Sequence, residues 1–125
     1  MEAKEFFATV AERAALSKEE AADLTRATLK VLADRLSGGE TRDLALYLPE
    51  ALRDELQSSS PAAVKFGLDD LVDRVKERTG LNGEETTRGV RAFFLTLREA
   101  VPQEEYDQAM SQLPGEFREL VNSPG

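Results

Sequence analysis

Cysteine and histidine are both missing from the 125 residues. The first absence removes any disulfide framework and any thiolate nucleophile. The second removes the commonest general base, the usual zinc and haem ligands, and the Ser–His and Cys–His pairs. Most enzyme classes are disfavoured on these grounds, and no cofactor is expected. Long apolar runs are missing too: clusters such as Ala92 to Leu95 are a helical face's worth, far short of the ~18 residues that span a bilayer. The chain opens on Glu2, Lys4 and Glu5 instead of a signal-peptide apolar run, so a cytoplasmic location is expected. No stretch alternates apolar and polar residues with β-branched enrichment, which argues against a sheet. Positive charge is in the minority, with 16 basic residues against 24 acidic ones and a net charge of −8. Phosphate backbones and anionic lipid surfaces are repelled by most of such a surface, so neither nucleic acid nor membrane is expected as a partner.

What is present is patterned. Apolar residues make up 41% and charged residues 32%, enough to form a core in a chain of this size, which buries roughly two-thirds of its unfolded surface. A single domain over residues 1–125 is the expectation. Placing Val10 on Val75 sets an offset of 65 residues that runs without a gap to Leu56 on Val121. Along it fall the identities Glu12/Glu77, Arg13/Arg78, Leu16/Leu81, Glu19/Glu84, Glu20/Glu85, Arg26/Arg91, Ala27/Ala92, Leu32/Leu97, Glu40/Glu105, Leu48/Leu113, Pro49/Pro114 and Arg53/Arg118. Composition alone gives roughly one match in fifteen positions. The pattern reads as two repeat units, about 4–57 and 69–122, joined by a linker at 58–68 that contains Ser58-Ser59-Ser60-Pro61. A lone half of about 60 residues is marginally stable, so the two are expected to pack as one globule with pseudo-two-fold symmetry.

Each unit reads as four helices. Phe6, Phe7, Val10 and Ala14, and likewise Leu68, Leu71, Val72 and Val75, recur at helical spacing, and Gly80 sits where the second of these helices would stop. Ser17-Lys18-Glu19-Glu20 and Asn82-Gly83-Glu84-Glu85 match capping boxes that open a long second helix. Gly38-Gly39 and Pro102 break that helix, and a short third helix follows. Leu48-Pro49 and Leu113-Pro114 stop the third, because the residue before proline is pushed out of the helical region. A short fourth helix carries Leu52 and Leu56, or Phe117, Leu120 and Val121. The fold class is therefore all-α: a helical bundle of two tandem homologous four-helix units.

The elements Val-x-Glu-Arg-x-x-Leu-x-x-Glu-Glu opening each unit, and Leu-Pro-x-x-Leu-Arg at 48–53 or Leu-Pro-x-x-Phe-Arg at 113–118 closing it, resemble those of the bacterial DUF2267 proteins. The resemblance covers nearly the whole chain. It implies a small helical fold, a bacterial cytoplasmic setting and an unassigned function, and it brings no catalytic or binding residues with it.

Each candidate for chemistry has a structural reading beside it. Asp69, Asp73 and Glu77 share a helix face that could hold Mg2+ or Ca2+, but Asp69 and Asp70 also complement a helix dipole, and Asp73 and Glu77 have Lys76 and Arg74 nearby. Glu19, Glu20, Asp23, Glu84 and Glu85 suggest a carboxylate di-metal centre, which the lack of Glu-x-x-His disfavours. Gly38-Gly39-Glu40-Thr41 could seat a phosphate, yet matches no phosphate-binding motif. A basic strip of Arg88, Arg91 and Arg98 is a weak nucleic-acid candidate. Arg13, Arg26 and Arg53, with Arg78, Arg91 and Arg118, form either a symmetric contact set or salt bridges within the repeat. Of the aromatic residues, Tyr47 or Phe66 could be exposed and mark an interaction patch.

The reading that follows is a non-enzymatic protein acting by protein–protein or self association, with Arg53, Arg118, Tyr47 and Phe66 as candidate partner contacts. The alternative is a small-molecule or divalent-cation binding protein using a cleft between the halves.

Overall fold

Two capping boxes fix where the two longest helices begin. Ser17 Oγ accepts from Glu20 N (3.1 Å) while Glu20 Oε1 accepts from Ser17 N (2.9 Å), and Asn82 and Glu85 repeat the exchange at 2.9 and 3.1 Å. Each exchange satisfies two backbone N–H groups at the open end of a helix. The computed structural model describes residues 1–57 and 65–122, so residues 58–64 of the expected linker lie outside the described residues. Among the described residues the helices are α1 (Ala3–Ala14), α2 (Lys18–Arg35), α3 (Gly38–Tyr47), α4 (Glu50–Arg53), α5 (Leu68–Thr79), α6 (Gly83–Ala100), α7 (Gln103–Ser111) and α8 (Gly115–Asn122). No strand occurs among them. The protein is all-α. No described helix is long and apolar enough to cross a membrane.

Residues that stop helices act by different means. Gly80 ends α5 in the left-handed region at φ 75°, and Ala15 ends α1 there at φ 55°, a conformation that costs an L side chain about 1–2 kcal/mol. Pro102 and Pro49 sit just outside α7 and α4. Gly38 and Gly39 do not merely break α2. They are the first two residues of α3, whose cap is Ser37, with Oγ accepting from Glu40 N at 3.2 Å. α4 is a single turn, shorter than its sequence pattern suggests, and Leu56 lies beyond its end. There the chain tightens into bonds from Glu55 N to Leu52 O and from Leu56 N to Arg53 O, which still turn Leu56 into the core at 3% exposure.

α1 lies most extensively on α6, and α5 on α2. α2 and α6 cross at Gly89, where a Cβ would fall 2.1 Å from Leu24 Cδ1 and 3.1 Å from Leu24 Cγ. Around this crossing a chain of rings runs from α1 through α6 to α8, with centroids 5.8 Å apart for Phe6–Phe93, 5.1 Å for Phe93–Phe94 and 5.8 Å for Phe94–Phe117. All four phenylalanines are buried. The tilted and edge-on geometries are those that ring quadrupoles favour.

Two stability changes are expected. Gly89→Ala should destabilise the protein by about 1–3 kcal/mol, the usual cost of overpacking, and that penalty should be smaller in a Leu24→Ala background, where the side chain in the way is gone. Ala15→Gly should stabilise it by about 0.5–1 kcal/mol through relief of the left-handed strain. Chemical denaturation of the variants measures both.

Candidate functional site

Leu48-Pro49 turns the chain from α3 into α4, and Arg53 reaches back across the turn. Its Nε donates to Leu48 O at 3.2 Å and its Nη2 to Leu46 O at 3.5 Å, satisfying carbonyls that the end of α3 leaves without helical partners. Held on this turn, Leu46 is 69% exposed and Tyr47 45% exposed. Just along the chain, Pro49 and Ala51 line a shallow depression of about 330 Å³ with Met1, Ala3 and the charged Glu2, Lys4 and Glu50. At the corresponding turn after α7, Arg118 Nη2 donates to Met110 O at 3.2 Å. There the residues in the places of Leu46 and Tyr47 are the polar Ser111 and Gln112. Gln112 is drawn onto the start of α3, its Oε1 accepting from Ser37 N (2.9 Å) and its Nε2 donating to Ser37 Oγ (3.2 Å).

α3 and α7 pack on one another. Glu40 at this contact is buried, with Oε1 lacking a hydrogen-bond partner, and Glu105, its counterpart 65 positions on, is partly buried with Oε2 likewise unmatched. Burial pushes the Glu40 carboxyl above its ordinary 4.5, and the neighbouring Glu105 and Asp43 push it further. Ionising Glu40 is costly there, because its carboxylate would be poorly solvated and close to other negative charge.

The family model described as "Uncharacterized conserved protein (DUF2267)" matches residues 3–120. The chain belongs to the DUF2267 family. No curated protein matches it.

The surface features of this DUF2267 member sort the residues singled out by the sequence. Phe66 is not a surface aromatic: it is 8% exposed, its ring lies 4.0 Å from the Arg74 guanidinium carbon, and its carbonyl accepts from Arg35 Nε at 2.8 Å. Tyr47 is the one that faces solvent. Arg53 and Arg118 clamp the ends of α3 and α7 as described, and they stand at separate turns. Arg13 bonds Thr96 Oγ1 (3.1 Å) and pairs with Glu99, while Arg26 pairs with Glu55 at 3.7 Å and stacks on the Phe7 ring at 5.0 Å. The basic strip is largely occupied: Arg88 Nε donates to Ala14 O (3.0 Å) and Arg91 Nε to Leu120 O (3.1 Å).

Asp69, Asp70, Asp73 and Glu77 are exposed along α5, and no group of three or more acidic residues among the described residues is arranged to hold a metal. Glu20 and Glu85 are engaged in the capping boxes, and Glu84 pairs with Arg88 at 3.4 Å. A cleft of about 190 Å³ is lined by Lys30 and Asp34 of α2, Gln57, and Arg78 of α5. The Glu40–Glu105 contact was visible in the sequence only as one identity among many, and nothing local marked it as buried.

Because the folded pKa of Glu40 is raised, its contribution to stability is fully present below about 4.5 and is lost as pH rises through the folded value. Glu40→Gln, neutral throughout, should therefore raise the melting temperature at pH 7 by a few degrees. It should also flatten the loss of stability as pH rises from 4.5 towards 7. Thermal melts across that range test this.

Proposed function

We propose that this DUF2267 protein is a non-enzymatic, internally duplicated helical protein of the bacterial cytoplasm that acts by association, and that its contact surface is the turn bearing Leu46 and Tyr47. The observation that carries the reading is the exposure of those two side chains, 69% and 45%, at a place where the equivalent turn has Ser111 and Gln112. A turn of this kind closes equally well with polar residues, so the fold does not demand the apolar pair. Exposed apolar side chains grouped together mark contact surfaces, and tyrosine is among the residues enriched in them.

The occupant proposed is a second copy of the chain. Net charge over the whole molecule is −8, which opposes self-association in general. Around this turn, however, Lys4, Arg42 and Arg53 stand among Glu2, Asp43, Glu50 and Asp54, a rim of both signs that can pair with itself about a two-fold axis, as an isologous interface requires.

Support for the duplication lies in the elements themselves. α1 and α5, α2 and α6 have bounds that differ by 65 residues at both ends, and α3 and α7, α4 and α8 begin 65 apart. The principal packings, α1 on α6 and α5 on α2, exchange under that offset. Leu24 and Gly89 are counterparts that touch, as residues on a pseudo-two-fold axis must. Two leucines would collide there, and one leucine with one glycine fit.

Sedimentation equilibrium over a wide concentration range tests the association. The wild-type chain should dimerise in the micromolar range, and Leu46→Glu with Tyr47→Glu should be monomeric with an unchanged melting temperature. A wild-type chain that stays monomeric at the highest concentrations, or a double variant that dimerises as well as wild type, would refute the reading.

A further inference from the structure

Away from the Leu46–Tyr47 turn, the last residues of α6 meet α7 and α8 around a cleft of about 180 Å³. Arg98, Tyr106 and Arg118 line it, with Gln103, Asp107 and Asn122 at its polar margin. We infer that this cleft binds a small oxyanion, a phosphate or carboxylate group, held by the guanidinium groups of Arg98 and Arg118 and the hydroxyl of Tyr106. The inference does not depend on the proposed association.

Three unspent donors converge there. Arg118 commits Nη2 to Met110 O, which leaves Nε and Nη1 for other acceptors. Arg98 makes no ion pair among the described residues. The Tyr106 hydroxyl is buried without a hydrogen-bond partner among them, in a residue only 6% exposed. A buried hydroxyl in that condition is rare in folded proteins and points to a group not yet supplied. Burial raises the phenol's pKa, with Arg98 and Arg118 close enough to oppose the rise, so at neutral pH the phenol keeps its proton and can donate it.

The charge balance favours an anion. The one carboxylate at the margin, Asp107, has Oδ1 engaged by Gln103 Nε2 at 2.8 Å, and two guanidinium groups against one carboxylate leave the cleft positive in a chain of net charge −8. Its volume accommodates a phosphate or a small carboxylate and falls below the range of pockets for drug-sized ligands. In the first half the positions equivalent to Arg98, Tyr106 and Arg118 hold Ala33, Thr41 and Arg53. The helices there come together without the first two, so packing does not account for Arg98 and Tyr106.

Calorimetric titration with inorganic phosphate, and separately with succinate, at constant ionic strength tests the site. Saturable heat is expected with at least one of them, and whichever binds more tightly identifies the class. Arg98→Gln should abolish the binding. Tyr106→Phe should weaken it about tenfold, the value of one hydrogen bond to a charged group, while its unliganded melting temperature stays at or above that of wild type because an unmatched hydroxyl has gone. The proposal is overturned if neither anion gives saturable heat, or if both variants bind as wild type does.

Discussion

Close approach of α2 and α6 at Gly89 is the constraint on which the rest of the structure depends. With no side chain at that position, Leu24 occupies the space a Cβ would need, and the two longest helices come near enough for α1 and α5 each to bridge onto the helix of the opposite half. The ring chain from Phe6 to Phe117 then fills the angle between α1, α6 and α8. The buried apolar residues form one cluster to which all eight helices or their flanking residues contribute. Phe6 of α1 finds Phe93 of α6 across 87 positions of the chain.

Short helices have many ends, and the chain closes them with arginine. Arg88 reaches Ala14 O, Arg53 reaches Leu46 O and Leu48 O, Arg91 reaches Leu120 O and Arg118 reaches Met110 O. Arg35, itself buried, ties Phe66 O to α2. A planar group with several donors suits carbonyls that a helix end leaves without partners, and a cation there also meets the negative end of the dipole. Acidic side chains serve the other ends, with Glu116 of α8 accepting from Leu68 N at the start of α5. Much of the charge that in sequence resembles a binding strip is thus engaged in closing helices. Groups left without such employment stand out against this background: Leu46 and Tyr47 in solvent, Arg98 and the Tyr106 hydroxyl in a cleft, Glu40 and Glu105 in a packed contact.

Differences between positions 65 apart separate what the fold requires from what it leaves open. Arg53 and Arg118 match because each closes a helix, and Pro49 and Pro114 match because each turns the chain. Leu46 against Ser111, Tyr47 against Gln112, Ala33 against Arg98 and Thr41 against Tyr106 are pairs in which one local structure holds two chemistries. What the turn or packing needs is met by either member, so the fold alone does not select the distinctive one.

The sequence by itself determined the order of the helices, the two capping boxes, the proline breaks, the family and many of the buried apolar positions, because these follow from neighbours within a few residues: a serine three before a glutamate, a proline after a leucine, apolar side chains every three or four. It did not determine that Phe66 lies beneath Arg74, that α4 is a single turn, or that Gly38 and Gly39 open a helix. Only the tertiary structure decided which arginines are spent on distant carbonyls such as Ala14 O and which are left over. It also decided that Glu40 is buried where Glu105 bears on its charge, and that the Tyr106 hydroxyl lacks a partner. Burial and pairing of polar groups depend on what another helix brings from tens of residues away, and no local pattern encodes that distance.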